Sequence, residues 1–106
     1  MVTGFMLSAL AACPFLYAED DYRLLIRDHR FEPAQLELPA GRKIKILIKN
    51  QDASAEEFES YDLNREKLIG PNGSAAVFVG PLKPGTYKFF GEFHPATAQG
   101  TIVVKE

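Results

Sequence analysis

Lys43-Ile44-Lys45-Ile46-Leu47-Ile48-Lys49 is the stretch from which the fold can be read. Side chains alternate between the two faces of a β-strand, so Ile44, Ile46 and Ile48 share one face while Lys43, Lys45 and Lys49 share the other. A helix would scatter the same residues around its circumference. Short strands separated by turn residues continue on both sides. Tyr22–Arg27 is a first strand, Phe31-Glu32-Pro33 breaks it, and Leu36 and Leu38 alternate with Gln35 and Glu37 in a second. Pro39-Ala40-Gly41, Gly70-Pro71-Asn72-Gly73 and Pro81-Leu82-Lys83-Pro84-Gly85 are turns. Ala75–Val79, Tyr87–Phe93 and Thr101–Val104 are further strands, while Tyr61–Ile69 suits either a strand pair or a helical turn. No stretch carries a long helical period, and the pattern predicts one all-β sandwich domain.

The chain has 106 residues, 46% of them hydrophobic, and a formal net charge of -2. That composition fits a globular domain and offers neither a disordered chain nor a basic nucleic-acid-binding surface. Residues 1–18 contain no charged residue and no histidine, whereas all 26 Asp, Glu, Lys and Arg residues lie in 19–106. The apolar run from Phe5 to Ala12 reads as a secretory signal peptide and is short for a transmembrane helix. Cleavage after Ala18 leaves residues 19–106 as the mature domain. The alternative is a lipoprotein leader, with Leu10-Ala11-Ala12-Cys13 as a lipobox, Cys13 lipidated and the protein membrane-anchored. The weak n-region and Pro14 favour the first. Both readings export the protein to the periplasm. Met1, Met6 and Cys13 lie within the leader and the chain has no tryptophan, so the mature domain has no sulfur ligand for a soft metal.

Glu56-Glu57-Phe58-Glu59-Ser60 and Gly91-Glu92-Phe93-His94-Pro95 concentrate the chemistry. Glu57 pairs with Glu59, and Glu92 with His94, at the spacing that places both members on one face of a strand, with Phe58 and Phe93 on the other. Brought together, the two segments make a pocket of three carboxylates and one imidazole. Such a set suits Fe(III), Fe(II), Mn(II) or Cu(II). Clustered carboxylates repel one another and raise a pKa, which a cation relieves. The plainer reading leaves all three glutamates solvated on strand edges, where charge guards against edge pairing. His29, in Asp28-His29-Arg30, has no partner at useful spacing and reads as part of a surface turn, and Asp62 suits a supporting role or none. No nucleophile motif or phosphate-cradling loop occurs. Paired carboxylates also serve glycosidases, but so short a chain has no room for a sugar cleft.

With these segments placed, Tyr87-Lys88-Phe89-Phe90-Gly91, His94, Ala98 and Gly100-Thr101-Ile102-Val103-Val104 resemble the C-terminal signature of cupredoxins. Pro39-Ala40-Gly41 and the strand ending at Asn50 are similar to the lead-in to that family's first histidine ligand. The resemblance implies a cupredoxin-like Greek-key β-sandwich, with His94 at the family's histidine. Gly91 stands where the thiolate belongs, Ala98 where the axial methionine belongs, and Glu56 near the first histidine. No blue-copper centre follows from that set. The Glu57-Phe58-Glu59 triplet together with Gly91-Glu92-Phe93-His94-Pro95 resembles the periplasmic cupredoxin components of bacterial high-affinity iron permease (Efe-type) uptake systems. That resemblance implies an exported protein binding iron or copper, with Glu57, Glu59, Glu92 and His94 as ligands and Glu56 in reserve. It also implies an iron permease or other uptake component as partner, with carriage of the ion or an accessory part in Fe(II) oxidation, and a catalytic ferroxidase subunit that needs a redox metal and an electron-accepting partner is a third reading. A metal-free module docking such a partner through its acidic rim is the alternative.

Overall fold

A computed structural model describes residues 22–106. The leader, Cys13 and the cleavage readings lie outside the described residues. Nine strands follow in order: β1 Tyr22–Arg27, β2 Arg30–Glu32, β3 Gln35–Pro39, β4 Ile44–Asn50, β5 Glu56–Ser60, β6 Arg65–Ile69, β7 Ser74–Val79, β8 Gly85–Gly91 and β9 Gln99–Lys105. One sheet has the order β2-β1-β4-β7 and the other β3-β9-β8-β5-β6. Both are mixed, since β1 runs parallel to β4 and β3 parallel to β9. The described residues contain no helix, so the all-β expectation holds, and no helix is long and apolar enough to cross a membrane.

Alternation sets the core as the sequence predicts. Ile44, Ile46 and Ile48 are buried while Lys43, Lys45 and Lys49 are exposed, and Leu36 and Leu38 are buried on either side of exposed Glu37. At the centre three rings meet. Phe31 stands edge-on to Phe89 at 4.9 Å, and Phe58 stacks on Phe89 at 5.1 Å. Such offset and edge contacts suit the ring quadrupoles.

The undecided segment Tyr61–Ile69 is a hairpin turn followed by β6. Ser60 fixes the turn: its hydroxyl donates to the Lys88 carbonyl at 2.7 Å and accepts the Leu63 N–H at 3.1 Å. Asn64 takes the left-handed backbone (φ 55°) that the turn requires and asparagine tolerates. Asp62 serves structure here, accepting the Lys88 N–H at 2.8 Å. The hairpin brings Glu59 opposite Glu66 and Glu57 opposite Leu68.

The loop between β4 and β5 is organised by Asn50, fully buried. Its Nδ2 donates to the Ser54, Ile69 and Gly70 carbonyls, and its Oδ1 accepts the Asp52 N–H at 2.9 Å. A buried amide with both ends satisfied fixes a loop in one conformation. The loop ends at Glu56, at the rim of the sandwich.

Candidate metal centre

Phe58 belongs to the core, so its neighbours two residues away, Glu56 and Ser60, point inward with it. Glu57 and Glu59 therefore face outward. β8 has the same phase: Gly91 lies opposite Phe58 and is buried with it, while Glu92 follows the end of the strand and is exposed. The in-phase pairing of Glu92 with His94 does not form. β8 stops at Gly91, and residues 92–98 make a tight loop closed by the Gly91 N–H donating to the Ala98 carbonyl at 2.8 Å.

The four expected ligands accordingly part company. Glu57, Glu59 and Glu92 gather on the outer face of the β5–β6–β8 sheet, joined by Glu66, a residue absent from the expected set. One carboxylate oxygen from each of Glu57, Glu59 and Glu66 lies within 4.8 Å of the others. The Glu92 N–H donates to the Glu57 carbonyl at 2.9 Å, which holds it beside them. Glu57 is raised above its ordinary carboxylate value, first by a hydrogen bond shared with the Glu66 carboxyl, then by burial and by the charges of Glu66, Glu59 and Glu92. Glu59 is raised by burial first, then by the charges of Glu66 and Glu92.

The sign of the pH dependence follows. A carboxyl raised in the folded state holds more protons there than in the unfolded chain. Stability therefore rises as pH falls from neutrality through the raised values, and the gain is complete below the ordinary 4.5. Glu66→Gln should raise the thermal midpoint at neutral pH and flatten this dependence. A melting series across that range checks it, and an unchanged slope would refute the coupling.

His94 turns inward instead, to Glu56. The Glu56 side chain is 2% exposed, and its carboxylate meets three donors. Oε1 accepts the Glu57 N–H and the Phe93 N–H, each at 2.9 Å, and Oε2 lies 2.9 Å from Nδ1 of His94. Glu56, the reserve residue, is thus the carboxylate that touches His94.

His29 is the second departure. Its ring stacks on that of His94, with centroids 3.6 Å apart and planes inclined by 14°. Asp52 holds the turn that carries it, accepting the Asp28 N–H at 2.8 Å on one oxygen and the His29 N–H at 3.0 Å on the other. Burial raises the Asp52 carboxyl, but those two N–H bonds and the charges of His29 and His94 outweigh it and leave Asp52 below its ordinary value. The Thr97 hydroxyl donates to the His29 carbonyl at 2.6 Å, tying the turn to the loop of His94. Residues 65 positions apart cannot announce such a contact by spacing; paired turn signals around Asp28-His29 were the available hint.

Glu56, Gly91, His94 and Ala98 surround one point at the rim. A Cβ on Gly91 would lie 2.6 Å from the Glu56 carboxylate and 2.7 Å from the Ala98 Cβ. The description of the cupredoxin-like domain matches residues 1–104. The chain belongs to the cupredoxin-like domain family. An uncharacterized protein of Rickettsia prowazekii (strain Madrid E) is 46% identical over 86 residues, which are 81% of this chain and 69% of that protein. Among solved structures, the metal-binding domain of the Cu(I)-exporting P-type ATPase CopA of Streptococcus pneumoniae D39, solved with Cu(I), shares the fold. Its TM-score is 0.72 at 18% identity, over 81% of this chain and 85% of that one. Auracyanin A, a "blue" copper protein of Chloroflexus aurantiacus, superposes with a TM-score of 0.69 at 17% identity, over 80% and 98% of the two chains.

A blue-copper ion does not fit this cupredoxin-like domain. The described residues supply no thiolate or thioether, as the residue types at Gly91 and Ala98 indicate. The Glu56 carboxylate also occupies the space that a side chain at position 91 would need, and it engages Nδ1 of His94. In place of a metal, a carboxylate held by three donors closes the rim.

Proposed function

We propose that this cupredoxin-like protein is exported to the periplasm and binds an iron or copper ion for a bacterial iron-uptake system, passing it toward an iron permease. Residues 19–106 would be the mature domain, soluble after cleavage at Ala18 or membrane-anchored if Cys13 is lipidated. The ion would be held by Glu57, Glu59 and Glu66, with Glu92 beside them, and not by His94. The observation that carries this reading is the convergence of three carboxylate oxygens within 4.8 Å on two neighbouring strands. Like charges so close are unfavourable alone and favourable around a cation. An all-oxygen donor set favours a hard ion, so Fe(III) should bind ahead of Cu(II) here.

Calorimetric titration of chelator-stripped protein with Fe(III), Fe(II), Cu(II), Zn(II) and Mn(II) tests it. Changing Glu57, Glu59 and Glu66 together to glutamine should weaken iron binding at least about 100-fold, equivalent to about 2.7 kcal/mol. Unchanged affinity would sink the assignment. One observation favours a second reading. Tyr61 (76% exposed) and Leu68 (59% exposed) flank the acidic group, an apolar border suited to docking a partner. In that case charge reversal at Glu57 or Glu59 weakens partner binding with no metal dependence.

A further inference from the structure

We propose that the outer face of the β2-β1-β4-β7 sheet docks on an anionic phospholipid bilayer. The formal net charge of -2 conceals a division of charge between the two faces of the sandwich. Even-numbered residues of β1 and β4, such as Ile26 and Ile46, are buried, so their odd-numbered neighbours face outward. On β2, Phe31 is buried, and Arg30 and Glu32 face out. The strands of this face thus carry Arg23, Arg27, Arg30, Lys45 and Lys49 against Glu32, and Lys43 stands just ahead of β4. The outer face of the other sheet carries Glu37, Glu57, Glu59 and Glu66 against Lys88 and Lys105. Arg27 and Arg30 are cross-strand partners, and like charges directly opposite are unfavourable. Glu32 meets Arg27 at 2.9 Å, a single carboxylate among the five cations of these strands. A surface of phosphates completes the neutralisation.

Two features favour a bilayer over an acidic protein. Phe78, on the outer side of β7, is 46% exposed, with Lys45 as its cross-strand partner. The Lys43 Nζ lies 5.1 Å from the centre of the same ring. An aromatic side chain between lysines suits the membrane interface, where the ring enters the headgroup–acyl boundary and the cations meet phosphates. Long lysine stems reach back to the aqueous side as the ring sinks. The second feature is where the charge sits. Protein interfaces are depleted of lysine, most of all at their centre, whereas Arg23 and Lys49 here border an open hollow of about 270 Å3 in the sheet surface, with Leu47 and Ser74 also in its lining. The Lys49 ammonium donates to the Asn72 carbonyl at 2.7 Å, which uses one of its three donors. A headgroup phosphate fits the hollow in size and charge. Docked this way, the chain turns Glu57, Glu59 and Glu66 away from the bilayer. The two surfaces share no residue, so the proposal stands independently of the metal reading.

The test is co-sedimentation of the full chain with vesicles of phosphatidylcholine mixed with phosphatidylglycerol, and with vesicles of phosphatidylcholine alone. Binding should be at least about tenfold tighter to the anionic vesicles and should weaken as salt is raised, since exposed charges are screened. Arg30→Glu with Lys45→Glu should weaken binding to the anionic vesicles at least about tenfold. Lys88→Glu with Lys105→Glu changes the net charge equally on the other face and should leave binding unchanged. Thermal melts of both variants separate lost docking from lost folding, and the comparison of the two vesicle types needs no variant. Equal binding to both vesicle types, as the apolar run Phe5–Ala12 would give, or equal weakening by the two charge reversals, would overturn the proposal. So would a low-salt dimer abolished by Arg30→Glu with Lys45→Glu in the absence of vesicle binding, which would assign this face to the acidic side of a second copy.

Discussion

Glu56→Ala should lower the unfolding free energy by about 3 kcal/mol, the scale for leaving several hydrogen-bond donors without their acceptor. Three donors now satisfied by one buried carboxylate, two backbone N–H groups and the His94 ring, would lose their acceptor. An orphaned buried donor costs about 1–3 kcal/mol. Glu56→Gln separates this from simple loss of bulk. Its amide oxygen can keep the two backbone bonds, and its NH2 can face His94 if the ring changes tautomer, so the loss should be nearer about 1 kcal/mol. Chemical denaturation with a constant slope reads both values. Equal losses in the two variants would show that Glu56 acts by filling space and not by accepting hydrogen bonds.

Gly91→Ala is expected to cost about 3 kcal/mol, the upper range for forcing a methyl into a packed interior. The added carbon meets the Glu56 carboxylate at 2.6 Å and the Ala98 Cβ at 2.7 Å, and neither is the free end of an exposed side chain. Glu56 is the larger obstacle, which makes the two sites interdependent. In the Glu56→Ala background the same change should cost less, with a coupling energy of about 1–2 kcal/mol from the double-mutant cycle. Strict additivity would mean that Ala98, not Glu56, sets the limit. The cycle also bears on the family's copper chemistry. A side chain placed at position 91 would compete with Glu56 for the same volume.

The strands were legible because burial alternates with a period of two. Ile44, Ile46 and Ile48 declare their face without help from the rest of the chain. The same rule, applied to β5, separates Glu57 and Glu59 from Phe58 correctly, and they do share a face. What it leaves open is which face is the inner one. Phe58, the apolar member, answers that question, and its answer sends Glu56 to the rim and the other two glutamates outward. Glu66 was hidden for a different reason. Its place opposite Glu59 depends on Tyr61–Asn64 being a hairpin turn, and that turn rests on the Ser60 hydroxyl reaching across to β8. His29 was the least legible of all, since its ring contact joins two loops from opposite ends of the domain through bonds made by Asp52 and Thr97. Strand phase is local information, whereas loop apposition is a property of the finished sandwich.

The pairing of β3 with β9 has a temporal meaning. β3 is an edge strand whose sheet neighbour is β9, formed by Gln99–Lys105 at the far end of the chain. β3 therefore waits, without its partner, until residues more than sixty positions further along, Gln35 against Thr101, have been synthesised. Contacts between distant segments are slow to form because the intervening loop must first be closed, at a cost in entropy. In a chain built this way the sheet that holds β3 is completed last, after the β2-β1-β4-β7 sheet has all of its strands. Deleting Gln99–Lys105 should leave β3 unpaired and the chain short of its native state, read as the loss of a cooperative unfolding transition.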